Sequence, residues 1–284
     1  MAVGKASITV ILGTGGTIAG KAADAGDNIG YTAAQIGVAQ LLAAVPALSG
    51  LPLEAEQVAQ LDSKDMSFEV WRRLAERVSH HCARPEVSGV VVTHGTDTLE
   101  ETAYLLQRVL SPSKPVVMAA AMRPATAMQA DGPQNLLDAV SVARHAGVHG
   151  VVAVLAGAVW SGGELRKSHT YRLDAFNAGD AGPLAWVEEG ALRRLRPWPE
   201  GRPLGLDLLA REPWPRVEIV WSHAGADGRL VDALVADGVN GIVVAATGNG
   251  TLHHALEEAL LRAQQRGVKV LRSTRVAAGA VLAK

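Results

Sequence analysis

Only one cysteine, Cys82, stands among the 284 residues, so the chain can neither close a disulfide on itself nor build a multi-cysteine metal site. Cys82 reads as a small packed side chain rather than a nucleophile. An excess of charge of either sign is also lacking: 27 Lys and Arg face 28 Asp and Glu, which leaves no overall electrostatic footprint for nucleic acid or an anionic membrane. No apolar run reaches the roughly 18 residues that cross a bilayer. Met1 to Thr9 enters a strand-like run at once, without the apolar core and cleavage site of a secretory signal. The expectation is a cytoplasmic protein, with a mature secreted or periplasmic form as the alternative, whose ligand is a small molecule. Phe and Tyr number two and three, and the dominance of Ala, Gly and Val suits closely packed strands and helices.

What is present is an alternation of short β-branched runs with longer amphipathic stretches, the order of a doubly wound, mainly parallel α/β sheet. Strands are expected at Ile8 to Leu12, Gly89 to Thr93, Pro115 to Ala119, Val151 to Leu155, Val217 to Trp221, Gly241 to Ala246 and Val268 to Arg272. Helices are expected at Ala34 to Ala44, Phe68 to Cys82, Leu99 to Leu110, Pro133 to His145, Arg229 to Asp237 and Leu252 to Arg266. Thr98 with Glu101, and Asp97 with Glu100, have the spacing of a capping box. From Leu192 to Pro215 arginines, prolines and tryptophans appear without a sustained period, as in a linker. The division expected is therefore a catalytic α/β domain over 1–190, a linker over 191–215 and a smaller α/β domain over 216–284.

In such a sheet the carboxyl ends of the strands open onto the ligand crevice, so polar loops directly after apolar strands draw attention. Two qualify. Gly13-Thr14-Gly15-Gly16-Thr17-Ile18-Ala19-Gly20 follows the first strand, with glycines that free backbone amides beside the Thr17 hydroxyl. By itself this loop also suits phosphate binding or a simple turn, although it lacks the P-loop lysine and the G-x-G-x-x-G spacing. Thr93-His94-Gly95-Thr96-Asp97-Thr98 follows the second, and there Asp97 alone would serve equally well as a helix cap. A threonine hydroxyl is a weak nucleophile until a neighbouring base takes its proton. Lys167, in Gly162 to Ser168, could tune such a base, while a lone lysine is ordinarily a solvated charge. The pairs His80-His81 and His253-His254 lie in helical stretches where adjacent residues do not share a face, so no metal site is expected. His94 reads as a packing and hydrogen-bonding residue.

Taken together, these loops resemble the bacterial-type L-asparaginase family, in particular its type II branch. The matching strings are TGGTIAG at Thr14 to Gly20, SKDM at Ser63 to Met66, THGTDTLEETAY at Thr93 to Tyr104, KPVVMAAAMRP at Lys114 to Pro124, ADGPQNL at Ala130 to Leu136, ELRKSHT at Glu164 to Thr170, GNG around Asn249 and RSTRV at Arg272 to Val276. They span nearly the whole chain in the family's order. The resemblance implies hydrolysis of L-asparagine to L-aspartate and ammonia, without cofactor or metal, through Thr17 as nucleophile and an acyl-enzyme. Tyr31 matches the tyrosine of a lid formed by Lys21 to Gly30, a segment rich in Ala, Gly and Asp as a mobile loop should be. Thr96, Asp97 and Lys167 match a second catalytic group. Ser63 and the amides near Gly16 and Gly95 match the contacts to the substrate carboxylate, with Thr96 beside them. Asp97 matches the contact to its ammonium. Asn249 corresponds to a residue that reaches a neighbouring subunit's site, so a homotetramer built from dimers is implied.

Three departures qualify the match. Lys64 stands where many relatives place a glutamine that contacts the substrate ammonium, and two cations 4 Å apart repel by about 4 kcal/mol at an effective dielectric of 20. Lys64 is therefore expected to turn its long side chain to solvent. The sequence reaches Lys284 shortly after RSTRV, where the family continues with a further strand and helix that supply a carboxylate to the neighbouring site. Cys82 matches one member of a disulfide found in secreted relatives while Ser113 stands at the other, which favours a reducing compartment. L-Glutamine differs from L-asparagine by one methylene, worth only about 1–3 kcal/mol of discrimination, so a dual glutaminase-asparaginase is the first alternative. A catalytically impaired amino-acid-binding homologue is the second, and nucleotide binding at the first loop the third.

Overall fold

Runs of β-branched residues condense into the parallel core. In the computed structural model, which describes residues 7–282, five strands run parallel: Ile8–Gly15 (β1), Leu53–Leu61 (β2), Val87–Thr93 (β3), Pro115–Ala119 (β4) and Gly150–Leu155 (β5). Ala158–Ser161 (β6), Ala185–Glu188 (β7) and Ala191–Arg194 (β8) extend the sheet antiparallel. The order across the sheet is β8, β7, β6, β5, β4, β3, β1, β2. After β1 the chain adds β2 on one side and then crosses to place β3 on the other. The carboxyl ends of β1 and β3 thus flank the topological switch point, where open α/β sheets bind ligands.

Helices Val38–Ala43 (α1), Phe68–Ala83 (α2), Leu99–Leu110 (α3) and Gly132–Arg144 (α4) accompany these strands. Ile11, Val91, Val117 and Val152 share one core cluster with Val38 of α1 and Leu136 and Val140 of α4. Their neighbours Val10, Leu12, Val90 and Val92 point to the other face, since successive strand residues alternate, and they are just as completely buried. Cover on both faces explains the apolar runs at residues 90–92 of β3 and 151–155 of β5. Local signals set the helix starts. Ser67 Oγ accepts from Val70 N at 3.3 Å ahead of α2, and Pro133 sits in the first turn of α4, where its missing N–H is no loss.

After Ala210 the chain divides into a second compact unit. Val217–Trp221 (β9), Gly241–Ala246 (β10) and Lys269–Thr274 (β11) pair in parallel in that order, and Arg229–Ala236 (α5) and His254–Gln265 (α6) share their core. The opposite face of this small sheet, with Val217, Ile219, Trp221 and Leu271, is exposed. Among the described residues no helix is long and apolar enough to cross a membrane.

Several elements differ from the sequence expectation. The helix expected from Ala34 begins only at Val38, because Ala34 is held at a φ of 56° and the Val38 N–H is taken by the Gln57 carboxamide at 2.8 Å. Strand β2 was not foreseen: its LEAEQVAQL sequence is an edge strand of mixed exposure with few β-branched residues. Strands β6, β7 and β8 were not foreseen either, and β8 orders the first residues of the stretch read as a linker.

Candidate active site

Gly16 fixes the geometry of the crevice. Its φ is 83°, and a Cβ placed on it would lie 2.3 Å from both the Cα and the N of Gly95. The loops leaving β1 and β3 therefore touch backbone to backbone, which only glycine permits. Gly95 is confined in turn, since a Cβ there would meet Ser63 Oγ at 2.5 Å. Thr14 Oγ1 donates to the Thr93 carbonyl at 2.8 Å, and Gly16 N donates to the Leu61 carbonyl at 3.0 Å. Three segments, 13–20, 61–65 and 93–98, are thereby fastened into one floor.

Thr17 and Thr96 each follow immediately on a glycine of that contact. Both are buried. The hydroxyls of Thr17 and Tyr31 share a hydrogen bond of 2.7 Å. Tyr31 closes a two-residue antiparallel ribbon, Lys21–Ala22 against Tyr31–Thr32. Between those strands the Asp27 carboxylate accepts from Ile29 N at 2.9 Å and Gly30 N at 2.7 Å; the Gly30 and then the Ile29 amide hold its pKa below the usual range. The same segment leans on residues 125–128, where Ala125 N donates to the Gly20 carbonyl and Met128 N to the Ala25 carbonyl.

Across the floor, Lys167 Nζ donates to Thr96 Oγ1 at 2.9 Å and pairs with Asp97 Oδ1 at 2.6 Å. The lysine side chain is 19 % exposed and the aspartate 54 %. Ser63 Oγ accepts from Asp97 N at 3.2 Å, and the Ser63 carbonyl accepts from Thr98 Oγ1 at 2.7 Å. The capping boxes expected at the start of α3 are consequently not formed: Thr98 makes no side-chain cap, Asp97 faces Lys167, and the Glu100 carboxylate accepts from the backbone N–H of Lys167. Tertiary partners have taken each local cap.

Two sequence candidates, Lys64 and Asn249, remain. Lys64 Nζ pairs with Asp65 Oδ2 at 2.5 Å, with side chains 60 % and 64 % exposed, so the lysine is turned to its solvent-side neighbour, whose hydrogen bond raises its pKa. Asn249 belongs to the second compact unit, where its side chain accepts from Leu282 N at 2.8 Å. Among the described residues no group of three His, Cys, Asp or Glu side chains is placed to hold a metal ion.

His94 has the packing and hydrogen-bonding role expected of it, with partners that sequence reasoning did not foresee. His94 is fully buried, and its Nδ1 meets the Gly95 carbonyl at 2.7 Å. A carbonyl only accepts, so Nδ1 carries the proton and Nε2 is left to accept from Thr102 Oγ1 at 2.9 Å. Thr102 Oγ1 in turn accepts from Trp71 Nε1 at 2.8 Å. Every ring nitrogen is satisfied with the imidazole neutral, and burial pushes the His94 pKa down to about 4. No short-range sequence signal joins residues 71, 94 and 102.

This geometry sits in a chain that matches two families: Asparaginase, N-terminal, over residues 8–199, and Glutaminase/Asparaginase C-terminal domain, over residues 216–284. L-Asparaginase 2 of Escherichia coli is 38 % identical over 275 residues, covering 95 % of this chain and 78 % of its own. The glutaminase-asparaginase of Pseudomonas fluorescens is 38 % identical over 280 residues, covering 97 % of this chain and 77 % of its own. A crystal structure of a probable cytoplasmic L-asparaginase from Campylobacter jejuni superimposes with a TM-score of 0.92 at 36 % identity, over 98 % of this chain and 86 % of that one. The chain belongs to the L-asparaginase and glutaminase-asparaginase family of amidohydrolases.

Two outcomes follow from the floor itself. Gly16→Ala forces the loops apart and should cost about 3 kcal/mol of stability, read as a shift in urea midpoint, together with loss of turnover; an unchanged midpoint would remove the contact from its structural role. His94 gains a proton near pH 6.5 when unfolded but only near 4 when folded, so between these values the unfolded state binds more protons. Its contribution is complete above pH 6.5 and is lost as pH falls towards 4, about 3 kcal/mol in all. Unfolding free energies at pH 7 and pH 5 should fall by about 2 kcal/mol more in the parent protein than in His94→Gln; equal pH slopes would show that His94 is not held neutral.

Proposed function

We propose that this protein hydrolyses the side-chain amide of L-asparagine to L-aspartate and ammonia, with Thr17 as nucleophile. The observation that supports the reading is the single glycine contact after which both threonines stand, Thr17 with its Tyr31 partner and Thr96 with Lys167 and Asp97. Thr17 Oγ1 attacks the amide carbonyl while its proton passes towards Tyr31, and an Oγ–carbonyl bond forms. Backbone N–H groups around Thr96 receive the oxyanion, each such donor being worth about 3 kcal/mol of barrier. The C–N bond then breaks, with a proton delivered to the leaving nitrogen so that ammonia departs. Water, activated at the Thr96 and Lys167 pair, cleaves the acyl-enzyme and returns the proton to Thr17.

The zwitterionic substrate is read at both ends. Ser63 and the amides of the Gly16 and Gly95 turns take its carboxylate, and the exposed oxygen of Asp97 takes its ammonium. Lys64, held by Asp65, leaves that carboxylate free. Asn249 acts at the site of a neighbouring subunit in a homotetramer, residues 1–190 and 216–284 form the catalytic and second domains, and the protein works in the cytoplasm. Glutamine is the natural competitor, since relatives of equal identity carry both names. One methylene sets a discrimination of about 10- to 200-fold at most.

Ammonia release measured with each amide in parallel tests the assignment. L-Asparagine should give the higher kcat/KM by at least about tenfold, and Thr17→Ala should lose about a thousandfold or more of kcat with its Tm preserved. Equal kcat/KM for both amides would replace the narrow assignment by a dual one, and full activity in Thr17→Ala would remove the nucleophile.

A further inference from the structure

Lys167 lies on a short ribbon, Arg166–Lys167 against Phe176–Asn177, continued by Ser168 N and His169 N donating to the Ala175 carbonyl. A flexible four-carbon stem separates its backbone from Nζ. Nζ nevertheless meets Thr96 Oγ1 at 2.9 Å and Asp97 Oδ1 at 2.6 Å. Fixing the far end of a long side chain at two points requires that its near end be fixed as well.

The near end is held by a bond that the proposed chemistry does not itself call for. The backbone N–H of Lys167 donates to the carboxylate of Glu100. Glu100 is half-buried and stands in the first turn of α3, three residues after Asp97. Both ends of the lysine are thus tied to one rigid helix entry: Nζ to residues 96 and 97 just ahead of the helix, and N to residue 100 within it. A span between two anchors on the same rigid element keeps its length when the surrounding loops move.

We propose that Glu100 is a positioning residue for the reaction, setting the backbone of Lys167 at the distance from α3 from which its amine reaches Thr96 and Asp97 together. It touches no reacting atom. The inference rests on the assignment of Lys167 to proton transfer. A carboxylate in the first turn of a helix is also favourable to the helix dipole, so reach and charge have to be separated. Glutamine keeps the reach of an accepting oxygen and drops the charge; aspartate keeps the charge and draws the oxygen back by one methylene.

Steady-state kcat and KM for L-asparagine, with Tm for each protein, are measured for Glu100→Gln, Glu100→Asp and Glu100→Ala, alone and combined with Lys167→Ala. Glu100→Gln should stay within about threefold of the parent kcat, while Glu100→Asp and Glu100→Ala lose about tenfold or more with KM little changed, as small misplacements of a reacting group do. In the Lys167→Ala background none of the three should lower kcat further, a result that a general loss of rigidity would not give. The opposite order, with aspartate active and glutamine impaired, overturns the proposal in favour of charge. Losses that persist without Lys167 overturn it too, and so does a tenfold loss in Glu100→Gln at unchanged Tm, even if the shorter variants fail to fold. Should Lys167→Ala alone retain full kcat, the assignment of Lys167 falls first and the role of Glu100 with it.

Discussion

Two glycines pressed backbone to backbone are the constraint on which the rest of the site depends. Neighbouring strands in a sheet lie about 4.8 Å apart, but loops leaving them ordinarily diverge because side chains need room. Gly16 and Gly95 remove that need, and a Cβ on the first would fall 2.3 Å from the second. The next residue on each loop, Thr17 and Thr96, is thereby delivered to the same end of the sheet on parallel strands already in register. Residues 79 apart in sequence are thus brought to one end of the sheet through backbone packing, without relying on a flexible side chain to bridge them.

Around this contact the polar groups are distributed so that burial and charge are kept separate. The fully buried member, His94, is neutral, with both ring nitrogens paired, which avoids the cost of an ion in the interior. The charged members, Asp97 and Lys167, meet at the rim, with the aspartate more than half exposed. Such a pair adds little to stability, and its value is in placing an amine beside the Thr96 hydroxyl. Lys64 follows the same logic from the other side: a cation one residue beyond a buried serine is directed outward by Asp65.

Much of the scaffold was legible because physics writes it redundantly. Strands covered on both faces, such as Val87–Thr93 and Gly150–Leu155, are dominated by valine and almost wholly buried. Leu53–Leu61 was not legible, since an edge strand needs to satisfy only one face and its charged residues resemble a loop. The glycine and threonine loops announced a site, yet nothing local distinguished Lys167 from a solvated lysine; its significance came from a resemblance and then from the 2.9 Å contact with Thr96. The packing and hydrogen-bonding role of His94 was legible, but its link to Thr102 and Trp71 was not, because that link is purely tertiary.

The misread capping boxes carry the wider lesson. Asp97, Thr98 and Glu100 have the residue types and spacing that close a helix start, and a lost cap typically costs about 1 kcal/mol. In this fold all three are diverted: Asp97 to the Lys167 amine, Thr98 to the Ser63 carbonyl, Glu100 to the Lys167 backbone. The helix entry tolerates this because Glu100 and Glu101 still place negative charge in its first turn, which the macrodipole favours by a few tenths to 1 kcal/mol. A local rule that fails while its residues remain in place is the mark of a site where tertiary geometry has outweighed helix stability. At the entry to α3 the diverted bonds all lead to the two elements, Ser63 and Lys167, that the crevice could not position from their own strands.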